Sequence, residues 1–416
     1  MGSPRLSEAT QAATEPISRG WSFRWIHAAA GAALLAVVAI GLLVMGLIPT
    51  GRSGNGGGAP AADPAEVLAA ADGVRGFVER ERGLRFDPPI RVRVLAGGDF
   101  DRFAAEVADT KTERGRANAE KTQGVLVALG LLPAGTDLLG ELRALGESTG
   151  RVALYDVTTG TLAVRAVAAT PYARVQMARE LTYALLDQRF GLDRPQLANA
   201  RDGSGFAFTA LVSGDVARVT AAYRSSLPDP EQAQVAGEEG RIAGRTAGLV
   251  AERRIPPVVS RFAALPSQAG SALVEAILAD GGQRALDEAF SDPPVNAAQV
   301  LFPDRYLNRR AAATVPVPRA EGQVFDEGVF GSDHLLYLLG ETPTAQAAMR
   351  GWGGDRYVAW RDGDRRCVRV AFVGDTPHGI DELADALVLW VASRPEAASV
   401  TRPGDRVVLS ACGPRP

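Results

Sequence analysis

Histidine and lysine are the residues this chain most lacks. Three histidines occur, His27, His334 and His378, and no two stand at the i, i+4 spacing that presents paired imidazoles on one helix face. An intact His-Glu-x-x-His zinc helix is therefore absent, and a lone histidine in a folded domain is more often a surface or hydrogen-bonded residue than a ligand. Lysine occurs only at Lys111 and Lys121. With a formal net charge of -3, a pI near 5.8 and arginine spread without a basic stripe, the chain carries no footprint for nucleic acid. No Gly-x-x-x-x-Gly-Lys-Ser/Thr phosphate loop, Gly-x-Ser-x-Gly elbow or Cys-x-x-Cys pair occurs, which excludes those three chemistries in their usual forms. Cysteine is limited to Cys367 and Cys412, and neither has a His or Asn context that would activate a thiolate.

What is abundant near the N-terminus is apolar. Ile26 to Ile48 carries no formal charge, and at about 1.5 Å per residue it crosses the roughly 30 Å hydrocarbon core. Trp21, Phe23 and Trp25 precede it as an interfacial belt, with Arg19 and Arg24 on that side against Arg52 on the other. The expectation is a single-pass protein of the cell membrane with a cytoplasmic, disordered tail (1–25), a span (26–48) and a flexible Gly-rich linker (49–63). The rest lies outside the cytoplasm. A cleaved signal peptide is the alternative, disfavoured by the length of the run and the lack of an Ala-x-Ala site. In an oxidising envelope Cys367 and Cys412, each in a β-like run, are expected to form a disulfide; two unpaired thiols are the alternative.

The folded part reads as α+β, mainly helical with small sheets. Helices are expected at 64–82, 99–119, from the turn at 129–135 through about Ala144, at 171–190 and at 204–226. Ile90–Leu95 alternates as a strand, and 152–157 with 161–167 reads as a hairpin around Thr158-Thr159-Gly160. The acidic, Pro-containing stretch 228–241 reads as a loop, followed by short helices through Phe290. Residues 64–325 form one expected domain. Residues 326–416 form a C-terminal α+β portion, with a helix, a hairpin at Asp362-Gly363, a helix at 379–394 and a hairpin at Pro403-Gly404-Asp405. Gly351-Trp352-Gly353-Gly354-Asp355-Arg356 reads first as a turn that fixes backbone and packs a tryptophan.

The segment Arg179-Glu180-Leu181-Thr182-Tyr183-Ala184-Leu185-Leu186-Asp187-Gln188-Arg189-Phe190 carries the chemistry. It resembles the His-Glu-Leu-Thr-His-Ala-Leu-Gln-Asp-Gln-His-Phe helix of a family of membrane-anchored, zincin-like, gluzincin-type peptidase-like proteins of high-GC Gram-positive bacteria. Further likenesses are the Tyr155-Asp156 hairpin, Val212-Ser213-Gly214-Asp215-Val216 against the family's Glu-Gly-Asp-Ala, the segment from Asp292 to Tyr306, and Gly351 to Tyr357. The resemblance covers about residues 80–395. It implies a zincin-like fold in which Arg179, Tyr183 and Ser213 occupy the three zinc-ligand positions and Glu180 is the vestigial general base.

Arginine has no lone pair to give and stays protonated, tyrosine ionises only near pH 10, and serine is a weak donor. The family's metal is thus not expected here: no cofactor, no metal site, no confident catalytic residue. The resulting expectation is an envelope-facing pseudo-metallopeptidase that binds a peptide, envelope polymer or partner protein. Its cleft would lie between helices 171–190 and 204–226 and the hairpin edge at 160–166, with Tyr155, Asp187 and Asp215 as binding candidates. An active zinc hydrolase with non-standard ligands, or a purely structural envelope protein, is the alternative.

Overall fold

The computed structural model describes residues 62–394 and 397–414. The expected tail 1–25, span 26–48 and nearly all of the linker 49–63 lie outside them. In chain order the elements are α1 (Pro64–Arg82), β1 (Arg91–Leu95), α2 (Gly97–Ala128), α3 (Leu138–Glu147), β2 (Ala153–Asp156), β3 (Thr161–Arg165), α4 (Pro171–Phe190), α5 (Pro195–Ala198) and α6 (Ser204–Ser225). There follow α7 (Asp229–Arg253), α8 (Pro257–Ser291), α9 (Ala297–Leu301), α10 (Pro303–Leu307), β4 (Gln323–Gly328), α11 (Gly331–Leu339) and α12 (Pro343–Arg350). The chain ends with β5 (Trp352–Asp362), β6 (Arg365–Gly374), α13 (Pro377–Ala392), β7 (Ala398–Thr401) and β8 (Arg406–Cys412). The class is α+β.

Local chemistry sets the main boundaries. Asp63 Oδ1 accepts the Ala65 N–H at 2.9 Å and Pro64 presets the first turn of α1, which ends at Gly83 in the left-handed region. Thr170 caps α4 in the same way by accepting from Ala173 N, again with a proline behind it. From Met177 to Leu186 every residue of α4 is buried, because α1, α6, α7 and strands β2 and β3 enclose it. Against it lies α6, which in turn crosses α8 backbone to backbone: a Cβ at Gly214 would overlap the Gly270 carbonyl, and one at Gly270 would overlap that of Ala210. The large core runs through these helices and the first sheet.

That sheet has the order β1-β3-β2, with β1 parallel and β2 antiparallel to β3. The second sheet, β4-β5-β6-β8-β7, is antiparallel throughout. It packs with α11, α12 and α13 around its own core, which also takes in Val125, Ala128 and Leu129 from the end of α2 and Ala298 and Phe302. Cys367 and Cys412 are register partners on β6 and β8 and form a disulfide.

Several expectations need correction. The stretch 228–241 is the first half of helix α7, not a loop; Pro228 and Pro230 sit at its start, where no N–H is needed, and Asp229 and Glu231 face the positive end of its dipole. After Pro256 a long helix runs up to Gly282, whose backbone is not helical, and a second, short helix follows to Ser291; the two together are α8, so the helices are fewer and the first longer than expected. Helix α2 runs past Ala119 to Ala128. The C-terminal portion has an additional strand, β4, and two helices where one was expected. Most consequential for function, residues 160–166 are no sheet edge, since β3 is paired on both sides. Among the described residues α8 alone is long and apolar enough to cross a membrane, and half of its most apolar window is buried inside the protein, as in a core helix.

Candidate functional site

Helix α4 brings Arg179, Glu180 and Tyr183 into the interior, where they are 7%, 5% and 1% exposed, and α6 brings fully buried Ser213 to the same place. Arg179 Cζ lies 5.7 Å from the centroid of the Tyr183 ring. The Tyr183 hydroxyl lies within electrostatic reach of both Arg179 and Ser213, without a well-aligned hydrogen bond to either. Arg179, Tyr183 and Ser213 thus lie together in the interior. A half-buried arginine that sequence reading missed, Arg151, joins them just before β2.

These groups do not fit a zinc ion. Burial opposes the Arg179 charge, but Glu180 and Tyr183 more than offset it and raise its pKa. Burial and then the repulsion of Arg179 lower the pKa of Arg151. Desolvation raises the Tyr183 phenol despite the nearby guanidinium, so it stays neutral. Among the described residues no three His, Cys, Asp or Glu side chains are grouped so as to hold a metal ion. His334 instead sits 3.1 Å from Asp333, and His378 3.3 Å from Glu382.

Glu180 has a structural task. Its Oε2 accepts the Tyr155 N–H at 2.9 Å, occupying an outward-facing donor of edge strand β2, while Oε1 lies 3.4 Å from Arg179 Nη1. The other residues at the end of this helix are similarly engaged. Asp187 accepts from the Tyr155 hydroxyl at 2.7 Å and from Leu192 N at 2.8 Å, while Gln188 bonds Asp87 N and Pro88 O. Phe190 stacks on Phe290 at 4.3 Å. Asp215, fully buried, accepts from Arg82 at 2.6 Å and from Arg218 at 3.1 Å, and Arg82 also meets Asp287 at 2.6 Å. No sequence signal distinguishes Arg82 from a surface arginine at a helix end.

Arg179 also faces a cavity of about 1030 Å³. Its walls come from α4, α6, α7, α8 and the 300–350 region, with Val175, Val216, Ile242, Leu265, Val300 and Met349 among the apolar ones. Tyr155, Asp187, Asp215 and the 160–166 strand are not among the residues lining it.

The Gly-Trp-Gly-Gly-Asp-Arg segment is accounted for by packing. A Cβ at Gly351 would come within 2.5 Å of Gly379, and one at Gly353 within 2.6 Å of Gly374. Asp355 accepts from Phe330 N, Gly331 N and Trp352 Nε1, and so caps the start of α11 from strand β5. No protein-family model matches this chain, and neither a curated protein nor a solved structure does.

Proposed function

We propose that this chain is a membrane-anchored, envelope-facing binding protein on a zincin-like, peptidase-derived scaffold, with a peptide, envelope polymer or partner protein as ligand. The observation that carries the reading is the convergence of Arg179, Tyr183 and Ser213 beside a Glu180 already committed to the Tyr155 N–H and to Arg179. A cationic, interlocked cluster stands where hydrolysis would need an open metal position and an unengaged general base. The adjoining cavity supplies room for a ligand without chemistry.

Metal content is the test. Purified full-length protein dialysed against micromolar zinc and then buffer should retain far less than one zinc per chain by mass spectrometry. Stoichiometric zinc would overturn the proposal and favour an active hydrolase with non-standard ligands.

The anchoring rests on the apolar run Ile26–Ile48 and its aromatic and arginine flanks. Protease added outside spheroplasts should digest the large domain and spare a short N-terminal tag. Protection of the domain would reverse the orientation.

A further inference from the structure

The first sheet has two edges, and they differ. At β2 the outward N–H of Tyr155 is taken by Glu180. The other edge, β1, runs parallel to β3 from Arg91 to Leu95, and Leu95 O accepts from Ala166 N at 2.7 Å. Backbone groups alternate in direction along a strand, so Arg91, Arg93 and Leu95 bond toward β3 while Val92 and Val94 turn theirs outward. Among the described residues nothing pairs with those outward N–H and C=O groups.

Charge flanks this open edge. Val92 and Val94 pack one face of the strand against the large core, and Leu95 meets the cluster around Phe100 and Ala104 on the other. Arg91 and Arg93 share the face of Leu95 by the two-residue repeat and are exposed. Among the described residues neither forms an ion pair, whereas Arg165, the register partner of Leu95 on β3, is paired with Asp101.

An unpaired edge is a template for another strand, a second copy of the same chain included. Here self-pairing is opposed by charge. An antiparallel copy of β1 centred on Val92 would set Arg91 against Arg93, and one centred on Arg93 would set that arginine against its own copy; like charges directly opposite destabilise a ladder. A carboxylate opposite each arginine stabilises it. Because Arg91 and Arg93 are two residues apart, the fitting carboxylates also stand two apart in an extended segment.

We propose that β1 accepts an acidic polypeptide segment as an added strand, whose backbone pairs with Val92 and Val94 and whose acidic side chains at i and i+2 lie against Arg91 and Arg93. None of these four residues lines the cavity beside Arg179. The site is therefore a second one, and it stands whether or not the scaffold derives from a peptidase.

The test titrates purified full-length protein into a fluorescein-labelled Thr-Glu-Val-Glu-Val peptide, followed by anisotropy. Binding should saturate below about 1 mM, and a Thr-Lys-Val-Lys-Val peptide should not bind in that range. Arg91→Glu with Arg93→Glu, both at exposed positions, should weaken the Glu peptide about tenfold and make the Lys peptide the better ligand. The amides of a strand point alternately to its two edges. N-methylating one alternate set in the Glu peptide should therefore abolish binding, while N-methylating the other should leave it within about twofold.

If the two N-methylated peptides bind alike, charge alone holds the segment and strand addition is overturned. An unchanged preference for the Glu peptide in the double variant overturns the β1 site. No saturation of the Glu peptide at about 1 mM sinks the proposal as a whole.

Discussion

At the scale of single residues, buried Arg179 keeps its positive charge and Tyr183 stays a neutral phenol, beside fully buried Ser213. If these are vacated ligand positions, Arg179→His, Tyr183→His and Ser213→Glu together should create a three-ligand zinc site. Micromolar zinc should then raise the melting temperature of the triple variant, with little effect on any single variant. A folded triple variant without that shift would remove the main support for the peptidase-like scaffold. Hydrolysis is not expected to return, because Glu180 remains tied to the Tyr155 N–H.

Among the elements, the join between β5 and α11 carries a titratable cap. Burial raises the Asp355 carboxyl to about 6, against the lowering effect of its three N–H donors. A folded-state pKa above the unfolded one means the folded state holds the proton more tightly. The stability this contributes is fully present below about pH 4 and is lost as pH rises through 6, a change of about 3 kcal/mol at 1.36 kcal/mol per unit. The stability difference between the unaltered chain and Asp355→Asn, measured by denaturant melts, should therefore shrink between pH 4 and 6.5. A constant difference would show that the cap does not titrate in this range. Helix starts and the α4 and α6 spans were legible from caps and periodicity. Helix α7 was not, because its buried side is only Val235, Ile242 and Thr246, too narrow a stripe to outweigh its acidic, proline-containing start.

For the whole molecule, the two cores are joined through α2, which ends in the second, and the C-terminal strand is pinned by the Cys367–Cys412 disulfide. A bond closing a loop with a sequence separation of 45 contributes about 2–4 kcal/mol. Cys367→Ser with Cys412→Ser should lower the melting temperature by several degrees in calorimetry. No change would mean that β8 is held by its ladder and packing alone.

The sequence by itself determined the α+β class and the α1, α4 and α6 spans, because capping and periodicity are local properties. It also pointed to the cysteine pair through their strand contexts. Tertiary structure alone decided that Tyr155 meets Asp187 and that Asp215 meets Arg82 and Arg218. It likewise decided that β3 is central, that Arg151 joins Arg179, and that a chamber opens between helices far apart in sequence. Strand order, charge clustering and cavities arise from contacts between distant segments, and no short window of residues encodes them.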